Sequence, residues 1–186
     1  MDAVPLSRPR LIIVCGLPGA GKTTHARKLE EAGALRFSAD EWMDELFIDH
    51  FDEDRRHKIE ALQWKRAQQL LERGLTVAIE WGTWARAERE ALRRRAQEIG
   101  AVVELHYLTA PLDVLFVRIQ HRRREHSPIT WNHLLAWNRK FQAPDSRELA
   151  LYDEAIVMSW DGDGALAAPA EAAINGRCSE GQEGLA

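Results

Sequence analysis

Nine consecutive residues, Gly16, Leu17, Pro18, Gly19, Ala20, Gly21, Lys22, Thr23 and Thr24, fit the pattern G-x-x-x-x-G-K-[ST], whose chemistry is the cradling of a phosphate chain. Successive backbone N–H groups wrap an anion, and the glycines allow the turn and the close approach. The positive end of the following helix points at the phosphates. In this reading Lys22 neutralises β- and γ-phosphate oxygens, and the Thr23 hydroxyl holds Mg²⁺. The implied ligand is a purine nucleoside triphosphate. ATP is expected rather than GTP, because no Asn/Thr-Lys-x-Asp segment for reading a guanine follows the fourth predicted strand.

A second set of side chains falls where chemistry on that ligand would need it. In an open parallel sheet the ligand lies beyond the carboxyl ends of the strands. Asp40 follows the second predicted strand and Glu80 ends the third. Asp40 is the candidate group for accepting or orienting the proton of an attacking hydroxyl; as an alternative it caps a short helix, with Ser38 as rival cap. Glu80 is a candidate for holding Mg²⁺ or its water, for contacting substrate, or for pairing with a nearby Arg. Trp42, Trp81 and Trp84 cluster beside these acids and are candidate walls for an organic acceptor, or else part of the core. Arg118 and Arg122, four residues apart on one helix face, are candidates for closing over the triphosphate. Arg123 and Arg124 extend that run and are weaker candidates. None of the seven histidines has metal-ligand or triad spacing.

These residues need a scaffold, and the apolar periodicity supplies it. Short runs at 11–15, 35–38, 76–79, 102–108 and 155–159 predict five strands, and helices are expected over 22–32, 41–47, 54–73, 85–99, 112–124 and 130–141. Strands alternating with helices predict an α/β fold with a parallel sheet covered on both faces. The segment 42–57, with Leu46, Phe47, Ile48 and Phe51, either packs on the sheet, lines the acceptor pocket or docks a partner. From Gly162 to the end the chain is Gly-, Ala- and Glu-rich, which predicts a flexible tail behind a single domain over 1–161.

Composition narrows the function classes. An apolar fraction of 45% and a charged fraction of 29% are those of an ordinary globular protein. A net charge of −4 argues against a dedicated duplex-DNA binder. Cys15 and Cys178 are far apart and form neither a disulfide framework nor a zinc site. The apolar run after the N-terminus is too short for a signal peptide or a membrane span, so the expectation is a cytoplasmic protein, monomeric or homodimeric.

The segments GLPGAGKTT at 16–24, FSADEWM at 37–43, IEWGTWARAERE at 79–90 and LTAPLDVLFVRIQHRRR at 108–124 together resemble the small P-loop kinases. That group includes chloramphenicol phosphotransferases, zeta-toxin kinases and the 5′-hydroxyl kinase domain of polynucleotide kinase, and its members are often labelled AAA-type ATP-binding proteins. The resemblance implies the strand order 2-3-1-4-5, an acceptor-activating role for Asp40 and a lid role for Arg118 or Arg122. It implies ATP- and Mg²⁺-dependent transfer of the γ-phosphoryl group to a hydroxyl of a small molecule such as an antibiotic, a sugar or a nucleoside-like compound. The alternatives are a polynucleotide 5′-hydroxyl kinase and, from another class, a nucleotide-dependent binding protein or switch. The length and lack of an extra helical domain do not suit a ring-forming AAA+ machine.

Overall fold

Leu11, Ile13 and Cys15 alternate along the first strand with Ile12 and Val14, and all five are buried, so this strand must be covered on both faces. The computed structural model, which describes residues 8–122 and 128–159, shows how. β1 (Arg10–Cys15) is central in a five-stranded sheet of order β2-β3-β1-β4-β5. Its companions β2 (Leu35–Phe37), β3 (Thr76–Ile79), β4 (Val102–Thr109) and β5 (Glu154–Ser159) all pair in parallel. The fold class and the strand order are those expected. On one face Leu11, Ile13 and Cys15 join a core with Val77, Ile79, Val103 and Leu105. On the other, Ile12 and Val14 pack with Leu108, Leu115 and Ile119.

The crossovers run through α1 (Lys22–Glu31), α2 (Ala39–Glu45), α3 (Glu53–Leu71), α4 (Arg86–Glu98), α5 (Leu112–Arg122) and α6 (Trp131–Lys140). A further helix, α7 (Ser146–Leu149), was not anticipated. It is a single turn started by Asp145, whose Oδ1 accepts from the Glu148 N–H at 2.7 Å, and one turn is too short to leave a 3.6-residue period. The helix after β2 starts earlier than expected. Ser38 is its cap, its Oγ accepting from the Glu41 N–H at 3.4 Å, so Asp40 lies in the first turn with its carboxylate free for other partners. Arg123, Arg124 and the tail from Gly162 lie outside the described residues. Among the described residues no helix is long and apolar enough to cross a membrane.

β4 departs from a purely apolar strand. Its buried Glu104 accepts from the Arg10 guanidinium, and Glu104 Oε2 lies 3.1 Å from His106 Nε2. The other ring nitrogen of His106, Nδ1, lies 2.8 Å from Nε2 of His25 on α1. This chain of polar groups meets its own hydrogen-bonding needs beneath α1. Burial pushes both His25 and His106 down to about 4, so near neutral pH both rings are uncharged and one donates to the other.

Candidate active site

The loop between β1 and α1 is made by backbone. Gly16, Gly19 and Gly21 have φ of 146°, 83° and 93°, a region closed to most side chains. At Gly16 a Cβ would sit 2.3 Å from the Leu108 carbonyl oxygen, and at Gly19 2.7 Å from that of Leu115. The loop is thus seated directly on β4 and α5, with no room for side chains at these two points. The buried side chains of Leu17 and Ala20 anchor it from below. Lys22 turns back over the loop and donates from Nζ to the carbonyls of Gly16 at 3.0 Å and Leu17 at 3.2 Å. Burial lowers its pKa, with Arg122 adding to the effect and Asp40 and Glu80 opposing it. These bonds hold the ammonium at the mouth of the loop. Thr23 and Thr24 fall in the first turn of α1, immediately after it.

Asp40 belongs to a cluster that the sequence does not reveal. Its Oδ1 accepts from Arg56 Nη2 at 2.7 Å, and His50 Nδ1 lies 3.8 Å away. Burial alone would raise the Asp40 pKa, but His50, Arg56 and Lys22 together hold it well below the ordinary carboxylate range. His50 in turn is raised to about 9 by Asp40, against some desolvation, and by Asp44, whose Oδ1 is 2.6 Å from Nε2. Asp40 is therefore a fixed anion, suited to orienting a hydroxyl and to taking its proton only once the oxygen has become acidic. Buried Gln63 of α3 braces the cluster, donating to the Ser38 carbonyl at 2.9 Å and accepting from Trp81 Nε1 at 2.6 Å.

Glu80 ends β3 with its side chain 1% exposed. Its Oε1 accepts from Arg36 Nη1 at 2.6 Å, and the same guanidinium bonds Glu41 at 2.5 Å and Glu30 at 3.0 Å. The pairing alternative for Glu80 is thus present. Its Oε2 is buried without a hydrogen-bond partner, and burial raises the Glu80 pKa against the pull of Ser38, Arg36 and Lys22. The glycine cradle, the Lys22 ammonium, the Thr23 hydroxyl and this unsatisfied oxygen are the groups that would hold a triphosphate with a hard cation, since Mg²⁺ takes few protein oxygens and keeps several waters. Among the described residues there is no cluster of three or more His, Cys, Asp or Glu side chains arranged for a metal.

Lys22, Asp40, Glu80, Trp81, Trp84 and Arg122 line a single cavity of about 650 Å³, a volume suited to a small organic ligand. From the phosphate loop Pro18 and Lys22 reach this cavity, while Thr23 and the other loop residues are not among its lining. Of the side chains expected around the acceptor, two are placed elsewhere. Trp42 stands edge-on to Phe37 at 6.4 Å and packs on the core, and Arg118 is not among the lining residues. The aromatic wall gains Trp64, 6.5 Å from Trp81, and Trp137, 5.9 Å from Trp84. Of the segment 42–57, Phe51 lines the cavity and Ile48 packs on the core, whereas Phe47, with φ 55°, is 94% exposed.

The loop after β3 is held by Arg89, a fully buried side chain that sequence reading passed over. It bonds Glu148 bidentately at 2.7 and 2.8 Å, the Thr83 carbonyl at 2.9 Å and the Gln142 carbonyl at 2.7 Å. One guanidinium thus ties the cavity's Thr83 wall to α7 and to the chain after α6. Thr83 has φ 35°, an outlier for a β-branched residue and a mark of local strain.

Residues 11–144 match the pattern that defines the AAA_33 family, described as an AAA domain. No curated protein matches the sequence. Among solved structures, a presumed kinase from Chloroflexus aurantiacus superposes with a TM-score of 0.66 at 20% identity, over 82% of this chain and 89% of that one. A gluconokinase from Sinorhizobium meliloti 1021 gives 0.56 at 20% identity, over 82% and 83%. AvrRxo1-ORF1:-ORF2, in a structure with ATP, gives 0.65 at 16% identity, over 87% of this chain and 57% of that one. At these identities the likeness is one of fold.

Proposed function

We propose that this chain, which belongs to the AAA_33 family of AAA domains and has the fold of the small P-loop kinases, transfers the γ-phosphoryl group of ATP to a hydroxyl of a small organic molecule. One observation carries the reading: the phosphate loop and an organic-sized, tryptophan-walled cavity share a boundary, at which Lys22 and Asp40 both stand. A nucleotide switch has no need of the second compartment.

In this mechanism the Gly16–Thr24 loop and Lys22 hold the phosphates, with Thr23, and Glu80 through its free oxygen, as the residues that would hold Mg²⁺. The ion, when bound, supplies charge neutralisation along the phosphates. Asp40 accepts a hydrogen bond from the acceptor hydroxyl and aims its oxygen at the γ-phosphorus. The new P–O bond forms as the bond to the β-phosphate's bridging oxygen breaks, and ADP leaves with that electron pair. The hydroxyl proton, acidified late in a loose transition state, passes by way of Asp40 to solvent. Arg122, at the end of α5 and on the cavity wall, stabilises charge on the transferred group. Arg118, one turn earlier, has the weaker claim.

The test is transfer from γ-labelled ATP with Mg²⁺ to a panel of hydroxyl compounds, with Asp40→Asn alongside. The expected result is a labelled product with the native chain and a rate lowered by about 10²-fold in the variant, with ATP affinity retained. Equal turnover in both would remove Asp40 from the chemistry.

A further inference from the structure

The carboxylates lining this cavity are not equally partnered. Asp40 is matched by Arg56 and His50, and Glu80 by Arg36. Glu60, half-buried on α3, lines the same cavity, yet it holds no hydrogen bond or ion pair among the described residues. Burial raises its pKa, and the carboxylates of Glu88 and Asp40 add to that against the charges of Arg56 and His57. A half-buried carboxylate at a cavity wall, with no protein partner, is open to a charge supplied by a ligand.

A second, independent feature of the wall also points to an absent ligand. Thr83 is 7% exposed, its Oγ1 is buried without a hydrogen-bond partner, and it lines this cavity. Its left-handed backbone, clamped by Arg89, holds it there at a cost in strain.

Helix α3 fixes the spacing. Arg56, Glu60 and Trp64 succeed one another at intervals of four residues and all line the cavity, so Glu60 lies about 6 Å along the helix from the arginine that holds Asp40. Trp64, one turn further, stands edge-on to Trp81 at an interplanar angle of 85°. An unpaired carboxylate among tryptophan rings is the composition of a site for an organic cation.

We propose that the acceptor is a hydroxyl-bearing organic amine: its hydroxyl meets Asp40, and its protonated nitrogen meets Glu60 on the wall of the same cavity, which Trp64, Trp81 and Thr83 also line. This rests on the phosphotransferase reading above and adds the substrate's charge. Atoms balance as before: the hydroxyl oxygen takes the γ-phosphoryl group, ADP leaves, and the amine nitrogen keeps its proton throughout.

The test uses the full chain, Mg²⁺ and γ-labelled ATP with a matched set: 2-amino-2-deoxyglucose, amino alcohols and aminocyclitols, the N-acetylated form of each, and gluconate. The expected result is phosphorylation of at least one amine at about 10-fold or greater preference in kcat/KM over its N-acetylated partner. In Glu60→Gln the KM for that amine should rise about 10-fold, while the KM for ATP and the KM for the acetylated partner stay put. That split separates recognition of charge from a merely structural role. Equal use of amine and acetylated forms, or a preference for gluconate, overturns the inference and leaves the kinase reading standing. Phosphorylation of no member overturns the inference as well, and ATP affinity with and without Lys22→Ala then judges the nucleotide site separately.

Discussion

The two ends of the cavity are built in opposite ways. The nucleotide end is one contiguous stretch of backbone, its shape set by glycines that the neighbouring carbonyls of Leu108 and Leu115 forbid to be anything else. The acceptor end is made of side chains from α2, α3, the loop after β3 and α6, held by Gln63, Arg36 and Arg89. The first can be neither adjusted nor misread. The second can be retuned residue by residue without disturbing the first.

That contrast can be broken or sharpened by experiment. The largest effect is expected at the nucleotide end: Lys22→Ala should lower transfer by about 10³-fold, read as labelled product per unit time, since it removes the main charge facing the phosphates. Next is Arg89→Met, which strands the buried Glu148 carboxylate and should cost about 3–5 kcal/mol in urea unfolding. If the acceptor end is an adjustable wall on an independent core, a second-site Glu148→Gln should recover a large part of that loss. Thr83→Gly should change stability by less than about 1 kcal/mol, because relief of the strained φ offsets the lost side chain, and yet it should weaken acceptor binding. A large loss of stability there would show that the strain is structural and not a property of the site.

The smallest effects are on pH dependence, where the two regions respond in opposite senses. His25 and His106 have folded pKa values near 4, below the ordinary 6.5. The unfolded chain therefore binds more protons between those values, and their contribution to stability is lost as pH falls from about 6.5 to 4. His50, raised to about 9, contributes fully below 6.5 and loses that contribution as pH rises through 9. Unfolding midpoints across pH for His25→Gln and His50→Gln should flatten the acid and alkaline limbs respectively.

Legibility in the sequence follows the same division. The phosphate loop is local, so its spacing alone announces it, and strands such as Leu11–Cys15 announce the sheet because burial on both faces leaves an unbroken apolar run. The place of Asp40 and Glu80 on the cavity wall is legible because strand ends are where parallel sheets place ligands. Arg36, His50, Arg56 and Arg89 could not be found, because each acquires its meaning from a partner in another element. Arg89 lies beside the Arg93–Arg95 run and has nothing local to distinguish it from a solvated helix face. Trp42 shares its composition and neighbourhood with Trp81, and only the helix phase set by the Ser38 cap turns it toward Phe37. The single turn of α7 is too short for any period to register.

The central place of β1 has a consequence for the order in which the chain becomes folded. β1 is made before its sheet partners β3 and β4, which begin only at Thr76 and Val102. A nascent chain that has emerged only through β2 carries Leu11–Cys15 as an unpaired apolar strand, since β2 pairs with β3 and not with β1. Long-range parallel pairing of this kind is slow and leaves such a strand open to aggregation in the interval. The phosphate loop, seated on Leu108 and Leu115, is thus synthesised well before the elements that give it its shape.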